Sequence, residues 1–80
     1  YPNPFNPTTK IDFQLPQMVD NLTLSIYDIT GRLVELLYSG AMDYGQHSFI
    51  WNASSNSSGI YFVKMTVENQ QFTQKISLVK

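Results

Sequence analysis

The strongest constraint on this chain is a period of two. From Thr8 onward, apolar and polar residues alternate in short runs closed by turn-forming residues, while the three-to-four spacing of an amphipathic helix is nearly absent. Thr9, Ile11, Phe13 and Leu15 against Lys10, Asp12 and Gln14 predict a first half-buried strand stopped by Pro16. Leu22, Leu24 and Ile26 predict a second, ending at Asp28-Ile29-Thr30-Gly31, where a short carboxylate and a glycine suit a tight hairpin.

A third strand is expected from about Arg32 to Tyr38. Its Leu33, Val34, Leu36 and Leu37 are apolar on both faces, which predicts a central or covered position. A loop from Gly40 to Gly45 should follow, and then a fourth strand carrying His47, Phe49 and Trp51. The small polar stretch from Ala53 to Gly59 reads as a loop. Tyr61, Val63, Met65 and Val67 mark a fifth strand reaching Glu68; Asn69 and Gln70 are expected to turn the chain into a last strand from Phe72 to Val79.

Six or seven short strands with no helical crossovers predict an all-β fold, an immunoglobulin-like antiparallel β-sandwich. Trp51 would be its central plug. Tyr61, just after Gly59, stands where a tyrosine corner would tie its hydroxyl back to backbone. With 80 residues the chain allows one domain, residues 1–80, whose core must be modest. It has no cysteine, so packing of its 42% hydrophobic residues has to hold it together.

The same composition narrows function. A net charge of -1 offers no footprint for nucleic acid or an anionic membrane surface, and no apolar run approaches the roughly 18 residues of a membrane-spanning helix. The chain opens at Tyr1 with neither an initiator Met nor a signal peptide, which predicts a segment of a longer precursor. His47 is the single histidine and alternates with core aromatics, so neither a metal site nor a thiol nucleophile can be assembled around it. The serines of residues 54–58 lie in a loop without a recognisable base, and the carboxylates are scattered singly. The expectation is a protein without catalytic residues or cofactor. Asp28 reads as a turn former and Arg32 as its partner or a bond donor to loop carbonyls. If Tyr27, Tyr38, Tyr44 and Phe62 formed one flat exposed row, they could stack on sugar rings.

The order of motifs carries a resemblance. YPNPFNPTT, a strand ending in Leu15-Pro16, SIYDITGRLV, G-x-H-x-x-x-W at residues 45–51, SGIYFVKM and QKISLVK together resemble the C-terminal sorting domain of type IX secretion substrates. The likeness covers essentially the whole chain. Its structural signature falls on Pro2, Asn3, Pro4, Phe5, Gly31, Arg32, Trp51, Gly59 and Tyr61. Where such domains often follow the tryptophan with Asp-Gly, this chain has Asn52-Ala53. The resemblance implies a non-catalytic tag at the end of a cargo protein in certain Gram-negative bacteria. Its partners would be that upstream cargo, the type IX translocon of the outer membrane and a sortase-like cysteine peptidase. Its location would be the periplasm in transit, then the cell surface or the medium. The flagellar hook-cap protein carries a similar module, which leaves an assembly role as an alternative beside a sugar-binding one.

Under the sorting reading, the end of the last strand is the expected recognition element: Lys75, Leu78, Val79 and Lys80, with a terminal carboxylate, suit strand addition or carboxylate capture by a receptor. The plainer alternative is that Lys75 and Lys80 solubilise an edge strand and deter edge-to-edge pairing. The proline-rich opening, residues 1–7, serves either as a stiff extended connector or as a cap on one end of the sandwich.

Overall fold

The computed structural model describes residues 7–80. The expectations for Pro2, Asn3, Pro4 and Phe5 lie outside them. Six strands follow in order: β1 Thr8–Leu15, β2 Val19–Asp28, β3 Leu33–Met42, β4 Gly45–Asn52, β5 Gly59–Val67 and β6 Gln70–Leu78. They form two antiparallel sheets, a two-stranded β1-β4 and a four-stranded β3-β2-β5-β6, packed face to face as the expected immunoglobulin-like sandwich.

Alternation puts the core where the sequence placed it. Leu22, Leu24 and Ile26 of β2, Trp51 of β4, Tyr61 and Val63 of β5 and Leu78 of β6 are buried between the sheets. Trp51 is the largest fully enclosed side chain, at 0% exposure. Its ring meets Tyr61 of the opposite sheet edge to face, with centroids 5.2 Å apart, a favoured geometry for aromatic quadrupoles. Tyr38 and Phe49 make a second such contact across the sheets at 5.7 Å. The Trp51 indole N–H finds no acceptor among the described residues.

Three expectations are corrected. The third strand is neither central nor covered: β3 is an edge of the four-stranded sheet. Its run of apolar residues reflects two bulges instead. Pairing passes from Leu24↔Tyr38 to Ser25↔Leu36, and from Ile26↔Glu35 to Tyr27↔Leu33, so Leu37 and Val34 are extra residues on the β3 side. Each bulge resets the alternation. Val34, Leu37 and Tyr38 therefore reach the core, while Leu33 and Leu36 stand on the outer face, each 52% exposed.

The segment from Gly40 to Gly45 is not a loop, because β3 runs on to Met42 and only Asp43 and Tyr44 turn the chain. Gly40 pairs with Leu22 beside a third register shift, at φ +141°, a backbone shape that suits glycine inside a bulged strand. Finally, the last hairpin turns one residue earlier than expected, at Glu68 and Asn69, with Glu68 itself taking the positive φ of 52°.

The sandwich closes unevenly. Tyr38 and Phe49 pack together where β3 and β4 meet, but on the other side the free edges of β1 and β6 stay apart. Ile11 and Phe13 of β1 face Met65, Phe72 and Gln74 across a cleft of about 170 Å³ there. Phe72 is left half exposed as a result.

Candidate recognition surface

Residues far apart in sequence gather at one end of the sandwich. The β2–β3 turn is built around Asp28, whose Oδ1 accepts from the Thr30 hydroxyl at 2.6 Å, the Thr30 N–H at 2.9 Å and the Arg32 N–H at 3.0 Å. Gly31 completes it at φ +88° and donates its N–H to the Asp28 carbonyl at 3.0 Å. The Thr30 hydroxyl first, and then the Arg32 N–H, hold the Asp28 carboxyl below the ordinary aspartate range. The Arg32 guanidinium lies 3.4 Å from Asp28 Oδ2, yet its side chain remains 83% exposed. That leaves its outer N–H groups open to solvent or a partner.

Across a polar cleft of about 470 Å³ from this turn lies the loop of residues 53–58. Local side chains organise it: Asn52 Oδ1 accepts from the Ser54 N–H at 3.0 Å, and the Asn56 N–H reaches the Ala53 carbonyl at 2.9 Å. Asn52 thus supplies the turn acceptor that an aspartate would. Ala53 is fully buried and donates its N–H to the Pro7 carbonyl at 2.9 Å, which pins the start of β1 to the same loop. The Tyr61 hydroxyl donates to the Ser57 carbonyl at 2.7 Å, four residues upstream.

The chain's tail docks on this loop. Gly59 pairs with Leu78, so β6 ends directly beside it. The Lys80 N–H donates to Ser58 Oγ at 3.0 Å and its ammonium donates to the Ser54 carbonyl at 2.7 Å. Gly59 and Tyr61 therefore pair with the last strand, while Arg32 faces the loop that holds the tail across the cleft. The four candidate recognition residues divide in their placement. Leu78 is part of the core, Lys75 and Val79 are exposed, with Val79 at 74%, and Lys80 is exposed but tied to the loop. Strand β6 itself is an edge with one side unpaired.

Groups capable of chemistry are dispersed. His47 Nε2 lies 2.8 Å from the Asp43 carbonyl and its ring packs against Phe13 at 5.7 Å. Ser48 bonds Asp12, but adjacent strand residues point to opposite faces, so His47 lies on the other side of β4 from this pair. No group of three or more metal-ligating side chains occurs among the described residues. The four aromatics weighed for sugar stacking do not form one row. Tyr38 packs inward against Phe49, Tyr44 sits in the β3–β4 turn, and only Tyr27 and Phe62 are register neighbours.

Sequence reasoning missed the outer face of the four-stranded sheet. Leu33 and Leu36 were read as buried, and the bulges that expose them leave no mark in an apolar run. Lys64, on the face of β5 opposite Tyr61, Val63 and Met65, lies over the Tyr27 ring at 4.6 Å from its centroid.

No curated protein and no solved structure matches the chain. Residues 1–79, however, match a family described as the secretion system C-terminal sorting domain. That span includes the Asp28–Arg32 turn and strand β6, and stops one residue short of Lys80. The six-stranded sandwich therefore belongs to the family of type IX secretion C-terminal sorting domains.

Proposed function

We propose that residues 1–80 act as a single sorting domain that directs a cargo, joined upstream in the same chain, across the outer membrane through the type IX translocon. The family match over residues 1–79 is the observation that carries this reading. The family is one of sorting signals, and the domain's part in export is recognition without catalysis. The cargo passes through the periplasm and ends at the cell surface or in the medium. A sortase-like cysteine peptidase acts upstream of the sandwich.

The geometry suggests what is read. A receptor needs exposed groups whose position is fixed, and Lys75, Val79 and Lys80 lie on or just beyond an edge strand whose end is held by the 53–58 loop. The unpaired side of β6 offers main-chain donors and acceptors for strand addition. Leu78 supports this surface from beneath by anchoring the strand in the core.

Removing the whole tail would confuse recognition with folding, because Leu78 would leave the core. Surface substitutions avoid this. A reporter carrying a periplasmic signal peptide and residues 1–80 should reach the surface of a type IX secreting bacterium, and Lys75→Ser/Val79→Ser/Lys80→Ser should trap it, still folded, in the periplasm. Undiminished export of the triple variant would remove the tail as the recognition element.

A further inference from the structure

From the outer face of the four-stranded sheet we infer a second docking surface, which meets the tail at Lys75, for a protein partner that presents carboxylates around an apolar patch. The inference rests on the sorting reading. Strand register arranges two rows across this face: Leu33, Tyr27, Phe62 and Lys75 in one, and Leu36, Ser25, Lys64 and Thr73 in the next. Core side chains alternate away from it, so nothing within the domain requires apolar residues here. Leu33 and Leu36 are nevertheless half exposed, and Ile29 is more so at the turn beside them. Tyr27 and Phe62 complete the strip as half-buried register neighbours.

Charge selects the partner. The molecule carries six carboxylates and a net charge of -1, yet the only charged residues in these two rows are Lys64 and Lys75. Lys64 is held over the Tyr27 ring, which fixes its ammonium beside the apolar strip. Small Ser25, buried between Leu36 and Lys64, keeps the centre of the face low. A depression of about 290 Å³ adjoins it, lined by Tyr27, Ile29, Phe62 and Lys64 and also by Asp28, whose carboxylate is already engaged by Thr30 and Arg32. An aromatic and aliphatic centre flanked by two cations, of which Lys64 is held in place, matches the make-up of a protein interface core. An anionic membrane is a poorer match. Two lysines contribute only about 1 kcal/mol each at such a surface, and a flat sheet inserts no apolar wedge.

The test uses the reporter fused to residues 1–80 and leaves the tail intact. Leu36→Ser/Lys64→Glu should lower export about ten-fold or more while circular dichroism and melting show a folded domain, and Lys64→Arg should export like wild type. Leu36→Asp alone, at a half-exposed site, serves as the second variant and should lower export at least three-fold. Wild-type export from both folded variants would overturn the inference. So would Lys64-dependent co-sedimentation with phosphatidylglycerol/phosphatidylethanolamine vesicles, which would identify a lipid partner. Failure of the wild-type fusion to be exported is a different result: it rejects the sorting reading, and this inference with it.

Discussion

Replacing Trp51 by alanine should bring the domain close to unfolding. The indole is fully enclosed, touches Tyr61 across the sheets and belongs to β4 directly opposite Thr9 of β1. Truncating a buried tryptophan costs about 3–5 kcal/mol in lost transfer energy and cavity. A domain of 80 residues has a total stability of only about 4–12 kcal/mol at 0.05–0.15 kcal/mol per residue. The loss is therefore a quarter or more of the whole. At roughly 4–8 °C per kcal/mol for a domain of this size, the melting temperature should fall by about 20 °C. Trp51→Phe sharpens the argument. Because the indole N–H has no acceptor among the described residues, phenylalanine forfeits no hydrogen bond there and removes a desolvated donor. Its cost should stay below half that of alanine. Thermal and urea unfolding followed by far-ultraviolet circular dichroism measure both. A Trp51→Ala protein within 1 kcal/mol of wild type would refute the assignment of Trp51 as the plug between the sheets.

Other consequences follow from the gathered end of the sandwich. Tyr61→Phe removes the 2.7 Å bond to the Ser57 carbonyl and should cost about 1 kcal/mol, with faster amide hydrogen exchange in residues 53–58. Gly31→Ala meets no atom within 4 Å, so its cost of about 1 kcal/mol should come from the backbone at φ +88° alone, read as a shift in urea midpoint without a change in slope. Asp28 gives a pH signature. A carboxyl held low in the folded state adds stability above its unfolded value, about 3.9, and that stability drains away as pH falls through the lowered folded value. Melting temperatures of Asp28→Asn should therefore decline less on acidification than those of wild type; parallel declines would contradict the turn geometry.

The sequence was most legible where alternation is unbroken. β1, β4 and β5 have their inner and outer residues in the expected phase because their ladders carry no bulge. β3 was misplaced for the opposite reason. Val34 and Leu37 are inserted residues, and single-chain patterning cannot separate a bulged edge from a strand covered on both faces. Composition said where turns fall but not their length. Gly40 looked like a loop residue and is a bulge in a ladder, and Asn69 looked like the first turn position when Glu68 holds it. The tie of Tyr61 back to backbone was legible beside Gly59, but the approach of the Asp28–Arg32 turn and the tail to the same loop was not, since it depends on Gly59↔Leu78 pairing and on the bonds of Lys80 to that loop. Similarly, the lysine and leucine rows of the outer face exist only through register.

The most direct test of the central claim is transplantation. Residues 1–80 are fused behind a periplasmic signal peptide and an unrelated folded reporter, and surface and medium fractions are assayed in a type IX secreting bacterium and in an isogenic strain lacking the translocon. The account predicts reporter outside the cell only in the strain with the translocon. Equal retention of folded fusion in the periplasm of both strains would contradict it.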